Sequence, residues 1–195
     1  HKILSQLGGN GFDHVAIEAT SIGLDQHRLS YIDIEAAAFT NFSQDHLDYH
    51  VTMEDYFKAK TKLFADLLKP GKTAILNTEC DHYHQLKLLC ENRCHQILSF
   101  GHDCKADIRL VNHHPHLKGQ EMAIQYDGTI YQTHLPLLGS FQAFNVLASL
   151  GLLIGSGYAF SDIIGLIPDL KAIPGRLEQI GHVPIFVDYS HKPGA

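Results

Sequence analysis

The sequence lacks the features that would place it in several specialised classes. It has no run of about 20 apolar residues, which a membrane-spanning helix needs. It also has no cluster of lysine and arginine, and its formal net charge is −6 with histidine neutral. A general nucleic-acid-binding protein needs a basic face, so this class is excluded. A small anionic ligand remains compatible, because a few basic side chains or Mg²⁺ can bind one.

Paired cysteine motifs are also missing. The cysteines are Cys80, Cys90, Cys94 and Cys104. None forms a CxxC pair, and a chain of this size needs no disulfides, so we expect a cytoplasmic location. Histidine is abundant, with 15 residues. His113, His114 and His116 lie beside Pro115 without the spacing of a zinc site, and we expect them to be exposed and inert.

What is present is the composition of an ordinary globular domain, with 45% apolar and 18% charged residues in a chain of 195. Short apolar strands alternate with helices in the first half, a pattern typical of βαβ units and a parallel sheet. The strands predicted there are His14–Thr20, Ala36–Asn41, Thr73–Asn77 and Gln96–Phe100. The helices predicted there are residues 2–8, a segment from a Thr52 cap to Leu68, and residues 81–93.

The pattern changes near residue 106, where antiparallel strands are predicted. Asp127-Gly128 is a strong hairpin signal. The later strands predicted are Ile108–His116, Glu121–Tyr126, Thr129–Leu135, Leu177–Gly181 and Ile185–Tyr189, with helices at 140–156 and 161–167. The whole chain is therefore predicted to be one α/β domain: a mostly parallel sheet flanked by helices, with a small appended antiparallel sheet.

Polar side chains close several predicted strands. Glu18 ends the first strand, Asp45 and His46 follow the second, and Asp188 ends the last. Ligands of parallel α/β sheets bind at the carboxyl ends of the strands, and these donors suit Mg²⁺ or Mn²⁺. Strand ends are also polar simply because they meet water, so these residues by themselves leave both interpretations open.

Lys60 is unusual because it lies within an apolar helical stripe. Its neighbours at helical spacing include Tyr56, Phe57, Leu63 and Phe64. One interpretation is a lysine that extends its ammonium group from the edge of the core to water. The other is a lysine held in a partly buried site beside metal and phosphate.

Six segments, in order, resemble the Mur ligase family. They are Glu18–Arg28, Thr40–His50, Tyr56–Phe64, Gly139–Asn145, Pro174–Glu178 and Val187–Pro193. The Gln26-x-Arg28 feature favours the MurE-type branch, which adds a diamino acid. Thr20, Ile22 and Gln142 depart from the family pattern; Thr20 keeps a hydroxyl and Gln142 an amide, whereas Ile22 replaces a histidine.

The resemblance implies ATP-dependent ligation of a diamino acid, with meso-diaminopimelate favoured, to a UDP-N-acetylmuramoyl-dipeptide through an acyl phosphate in peptidoglycan synthesis. Phosphoryl transfer of this kind depends mainly on positioning and charge neutralisation. The implied Mg²⁺ ligands are Glu18, His46 and a carbamylated Lys60, with His46 and Lys60 also catalytic. The implied dipeptide-substrate residues are Thr20, Gln26 and Arg28. The implied ATP-binding residues are Asn145, Arg176 and Asp188.

The resemblance also implies parts that this sequence does not contain. The family's phosphate-binding loop, its N-terminal uridine-binding domain and its C-terminal amino-acid-binding domain are not found in it, so residues 1–195 are expected to be a truncated, monomeric and inactive central ATPase domain. Another Mur or folylpolyglutamate-type ligase is the alternative enzyme. A non-catalytic binding module is the alternative from a different class.

Overall fold

A computed structural model describes residues 2–181 and 185–190. The strands of its main sheet are β1 (Ala36–Phe39), β2 (Thr73–Asn77), β3 (Gln96–Gly101), β4 (Ile108–His116), β5 (Gly119–Tyr126) and β6 (Thr129–Leu135). Two short strands, β7 (Glu178–Gln179) and β8 (Phe186–Val187), pair separately. The α-helices are α1 (Lys2–Gly9), α2 (Ser21–Asp25), α3 (Leu47–His50), α4 (Met53–Lys62), α5 (Tyr83–Asn92), α6 (Phe141–Gly155) and α7 (Phe160–Ile164).

The six main strands lie in the order in which they occur along the chain. β1 to β4 are parallel, and β4 to β6 are antiparallel. β3 and β4 share only the pairs Phe100↔Ile108 and Gly101↔Arg109, so β4 begins where β3 ends and a short loop suffices to connect them. The predicted fold class is confirmed, and β4 joins the antiparallel strands to the parallel ones in a single sheet.

Apolar clusters cover both faces of the sheet. On β2, Ile75 belongs to the cluster formed with α6 and α7, whereas Ala74 and Leu76 belong to the cluster formed with α4 and α5. Successive side chains of a strand point to opposite faces, so a fully buried strand such as β2 is stable only between two layers of helices.

The helix that carries Lys60 begins where the sequence predicts. The Thr52 hydroxyl accepts a hydrogen bond from the backbone N–H of Asp55 at 3.1 Å and donates one to the Asp55 carboxylate at 2.6 Å. The last turn widens to a π-helix over Leu63–Leu67. No helix among the described residues is long and apolar enough to cross a membrane.

The predicted strand at His14–Thr20 is wrong. Residues 12–20 form no helix or strand, and Val15 and Ile17 are each 46% exposed. β1 pairs only with β2 among the described residues, so this extended segment has no ladder partner. The last two predicted strands are present but shorter, as β7 and β8.

Candidate functional site

A cleft of about 1120 Å³ lies along β1 and extends past its carboxyl end. Its walls include the extended segment 13–20, β1 itself, and the loop that follows β1. Of the predicted site residues, the cleft is lined by Glu18, Thr20, His46, Lys60 and Arg176. The fold therefore brings together, at one edge of the sheet, residues that are up to 158 positions apart in the chain.

Asp45 and His46 form a pair at the wall of this cleft. The Asp45 carboxylate accepts a hydrogen bond from the His46 backbone N–H at 2.8 Å, and its second oxygen lies 3.3 Å from His46 Nε2. The carboxylate thus fixes the backbone and stands beside the ring. The sequence marks Asp45 as a polar residue after the second strand, but it is not among the site residues that the family resemblance implies.

Aromatic rings surround the Lys60 ammonium group. Lys60 Nζ lies 5.4 Å from the centroid of the Tyr56 ring and 5.8 Å from that of Phe39. Ring faces attract cations at these distances, which explains how a charged side chain is accommodated in an apolar stripe. Burial and the nearby Asp45 charge raise the pKa of Tyr56, so its hydroxyl stays neutral around pH 7.

The loop that carries His46 has a sparsely populated backbone conformation. His46 and Val51, which flank α3, have φ angles of 53° and 64°. Positive φ is costly for a β-branched residue such as Val51 and persists only where surrounding contacts impose it. His50 supplies such contacts: its Nε2 lies 2.9 Å from Ser21 Oγ in a buried contact, and its ring stacks on Tyr56.

Two of the predicted dipeptide-binding residues lie outside the cleft lining. Gln26 Oε1 accepts hydrogen bonds from Arg28 Nε at 3.0 Å and Nη2 at 2.6 Å, in an exposed contact. Thr20 does line the cleft, but its hydroxyl also caps α2 by accepting a hydrogen bond from the Gly23 N–H at 3.1 Å.

The predicted ATP-binding residues are also divided. Asn145 does not line the cleft, and its amide donates to Gln142 Oε1 at 3.1 Å within α6. Asp188 does not line it either; it accepts hydrogen bonds from the Leu177 N–H at 2.8 Å and from Ser190. These hydrogen bonds, the one from the Ser190 hydroxyl most strongly, lower the pKa of Asp188. Only Arg176 lines the cleft.

The segments that hold Arg176 and Asp188 pack directly on each other. The Tyr189 N–H donates to the Gly175 carbonyl at 3.0 Å, and the Tyr189 ring covers Gly175 so closely that a Cβ there would lie 2.4 Å from it. Gly175 has φ +73°, a second reason for glycine at this position. The predicted motif residues 191–193 lie outside the described residues.

The predicted metal ligands share the cleft without converging on one point. Among residues 2–181 and 185–190, one group of three ligand side chains has its donor atoms within 4.8 Å of one another, and it is not in this cleft. Asp45 and His46 lie together on the cleft wall, and Glu18 lines the same cleft.

The parallel sheet and its cleft at the strand ends define a ligand-binding α/β domain of the kind that nucleotide-dependent enzymes use. The sequence matches the model of the Mur ligase middle domain over residues 1–153. The chain belongs to this family.

Relatives and solved structures agree with this assignment. The chain is 40% identical over 194 residues to UDP-N-acetylmuramoyl-L-alanyl-D-glutamate–2,6-diaminopimelate ligase of Rickettsia montanensis, covering 100% of the chain and 40% of that protein. It is 35% identical to the protein of the same name from Caulobacter vibrioides, covering 98% of the chain and 40% of that protein. The chain therefore spans about two fifths of the length of these relatives.

The fold comparison points the same way. A solved UDP-N-acetylmuramoyl-L-alanyl-D-glutamate–2,6-diaminopimelate ligase superposes with a TM-score of 0.78 at 32% identity, covering 91% of this chain and 37% of that one. MurF from Acinetobacter baumannii superposes with a TM-score of 0.69 at 20% identity, covering 78% and 32%, which supports the shared fold.

Proposed function

We propose that the chain is the central ATPase domain of a longer ligase that adds a diamino acid, meso-diaminopimelate, to UDP-N-acetylmuramoyl-L-alanyl-D-glutamate. The observation that carries the proposal is that Glu18, His46, Lys60 and Arg176 line one cleft of a chain that is similar over its own length to part of the ligases of that name. Such an enzyme acts in peptidoglycan synthesis, and we expect it to be a cytoplasmic monomer.

The proposed reaction has two steps. The dipeptide carboxylate attacks the γ-phosphorus of ATP, which forms an acyl phosphate and releases ADP. The diamino-acid amine then attacks the acyl carbon, the amide bond forms and phosphate leaves. Solved structures of similar fold include MurF ligase from Thermotoga maritima in complex with ADP and an FPGS–AMPPCP complex. Both support ATP as the phosphoryl donor in the proposed reaction.

The residues of this chain would position the reacting groups and neutralise charge. Arg176 at the cleft wall suits a phosphate, since its guanidinium binds oxyanions in a bidentate manner. Asn145 and Asp188 would bind the adenine and ribose of ATP, since an amide and a carboxylate can each form further hydrogen bonds besides their internal ones. Thr20, Gln26 and Arg28 would hold the dipeptide substrate, and the Gln26–Arg28 contact would open for it.

The donors in the cleft fit Mg²⁺. Mg²⁺ keeps several waters and binds through one or two protein carboxylates together with substrate phosphates, so a closed cage of protein ligands is not required. Glu18 supplies a carboxylate and His46 an imidazole at the cleft wall. The ion would neutralise phosphate charge during transfer.

We further propose that Lys60 is carbamylated. Its deprotonated amine would bond to the carbon of CO₂ and release a proton, which converts a cation into a carboxylate-like anion able to hold a second Mg²⁺. The position of Lys60 supports this, since its Nζ lies at the cleft between Tyr56 and Phe39 rather than at a fully solvated surface.

The direct test uses the longer protein that contains this chain. Purified enzyme is given ATP, Mg²⁺ and UDP-N-acetylmuramoyl-L-alanyl-D-glutamate, with meso-diaminopimelate, L-lysine or D-alanyl-D-alanine as acceptor. Phosphate release and product mass are measured. We expect product with diaminopimelate and none from residues 1–195 alone. Product with another acceptor only would identify a different ligase, and no ATP-dependent product would favour the binding module.

Lys60 gives a sharper test of the site. Lys60→Ala is expected to lower kcat by about 10²- to 10³-fold, the range seen when one preorganised electrostatic group is removed. Lys60→Glu should recover part of this loss because its carboxylate approximates the carbamate. Lys58→Ala is the matched control, since Lys58 is exposed on the same helix. Equal activity of Lys60→Ala and Lys58→Ala would contradict a role for Lys60.

A further inference from the structure

A second cluster of ligand side chains lies away from the cleft, on the exposed face of the antiparallel strands. It consists of His116 on β4, Glu121 on β5 and His134 on β6. One donor atom of each lies within 4.8 Å of the other two. Among the described residues, this is the group of three such side chains whose donor atoms lie close enough to share one metal ion.

Strand register explains why these residues meet. Glu121 lies directly opposite His134 in the β5–β6 ladder, and His116 lies opposite Gly119, two residues before Glu121. Residues two apart on a strand share a face, so all three side chains project from the same surface of the sheet. The cluster is thus held by three adjacent hydrogen-bonded strands.

The distances suit shared binding of a small cation. Glu121 Oε1 lies 2.8 Å from His134 Nδ1 and 3.6 Å from His116 Nε2. Ligands about 2.1 Å from a tetrahedral ion lie about 3.4 Å apart, between these two values. The two imidazole rings stack with their centroids 5.5 Å apart.

We propose that His116, Glu121 and His134 form a binding site for a divalent transition-metal ion of the Zn²⁺ class. Two imidazole nitrogens and one carboxylate oxygen are ligands that Zn²⁺ favours, and three protein ligands leave one position for water. A bound ion would link β4, β5 and β6 and stabilise the folded state, and the stabilisation grows with the logarithm of the free ion concentration above the dissociation constant.

The test measures Zn²⁺ binding to the untagged 195-residue chain by isothermal titration calorimetry, with Co²⁺ absorption to report tetrahedral coordination. We expect one Zn²⁺ per chain and a higher melting temperature in its presence. His116→Ala, Glu121→Gln and His134→Ala should each weaken binding at least about tenfold and abolish the thermal shift.

The matched control is His84→Ala, which removes an exposed histidine from α5, outside the cluster. It should bind Zn²⁺ as the wild type does. Circular dichroism checks the fold of each variant. If a histidine variant is misfolded, the Glu121→Gln result decides instead, because this change is isosteric and the Glu121 side chain is exposed. Unchanged affinity in Glu121→Gln, an equal loss in His84→Ala, or no binding to the wild type would overturn the proposal.

Discussion

The two halves of the sheet differ in how they use their strands. In the parallel half, β1 to β3, helices connect each strand to the next, and the cleft lies at the outer strand β1. The antiparallel half, β4 to β6, is joined by tight connections such as Asp127-Gly128 and has ladders that run almost the full length of the strands. Crossover connections place long loops at the strand ends, where a cleft can form. Tight hairpin turns contain too few residues to form one.

The buried contacts of the halves differ in kind as well. The apolar cluster that packs against α6 and α7 spans both halves, since it includes Ile75 on β2 and Ile124 on β5. Beside the cleft, the buried contacts include polar ones, such as His50 with Ser21, and positive-φ residues such as His46 and Val51. The two halves therefore share an apolar core, and the parallel half adds buried polar and positive-φ residues beside the cleft.

The largest expected effect tests the apolar face of the antiparallel half. Ile124 on β5 is fully buried, so Ile124→Ala should lower the free energy of unfolding by about 2–5 kcal/mol through lost burial and a residual cavity. Urea unfolding measures it. Ile130→Ala on the adjacent strand is the control, because Ile130 is 53% exposed and should change stability by less than about 0.5 kcal/mol. Similar losses for both would show that burial does not set the contribution of Ile124.

The next effect concerns the buried polar contact beside the cleft. Ser21→Ala removes the hydroxyl partner of His50 Nε2 and should cost about 1–3 kcal/mol, since a buried polar atom is left without its partner. Ser161→Ala on α7 is the control, because the Ser161 hydroxyl makes only an exposed contact with Asp162. A loss no larger than that of Ser161→Ala in the same unfolding measurement would show that the contact contributes nothing.

A smaller effect is expected at the start of the helix that carries Lys60. Thr52→Ala removes the cap of α4 and should cost about 1 kcal/mol. Thr52→Ser keeps a hydroxyl and should restore most of it. If thermal unfolding shows equal losses for Ala and Ser, the methyl group of Thr52 rather than its hydroxyl matters at this position.

The smallest expected effect is a difference between the two halves in how the free energy of unfolding depends on pH. The hydrogen bond from Lys62, and secondarily that from Tyr49, lowers the pKa of Asp25 in the folded protein. A carboxylate with a lowered folded pKa stabilises the fold above its unfolded pKa of about 3.9, and the contribution is lost as the pH falls below that value. Asp25→Asn should therefore flatten the acid side of the stability profile slightly.

The matched control for Asp25 is Asp127→Asn in the hairpin turn. Asp127 has φ 47°, a conformation that asparagine also tolerates, so this change removes a carboxylate from the other half without backbone strain. Urea unfolding at pH 7 and near pH 3 compares the two variants. An Asp25→Asn profile that parallels the wild type at both pH values would contradict the assignment.

Local chemistry made much of the fold predictable. The Thr52 cap, the Asp127-Gly128 turn and the strand β2 each depend on contacts with near neighbours in the chain or on a short apolar run, and each is confirmed. The position of Lys60 in an apolar stripe was equally visible, because helical spacing alone places it beside Tyr56.

Long-range pairing decided the rest. An apolar run such as residues 14–20 becomes a strand only if a neighbouring strand satisfies its backbone, and the described residues offer none. Likewise, His116 looked inert in the sequence because its partners lie 5 and 18 residues away on other strands. Only the register of β4, β5 and β6 places those donors side by side.

The sequence by itself therefore determined the α/β class, the family and the polar strand ends from which a site could be built. The tertiary structure decided which of those side chains share a space: Glu18, His46, Lys60 and Arg176 line the cleft, while Gln26, Arg28, Asn145 and Asp188 do not. The physical reason is that residue type and periodicity are local properties, whereas distances between side chains depend on strand order, register and packing.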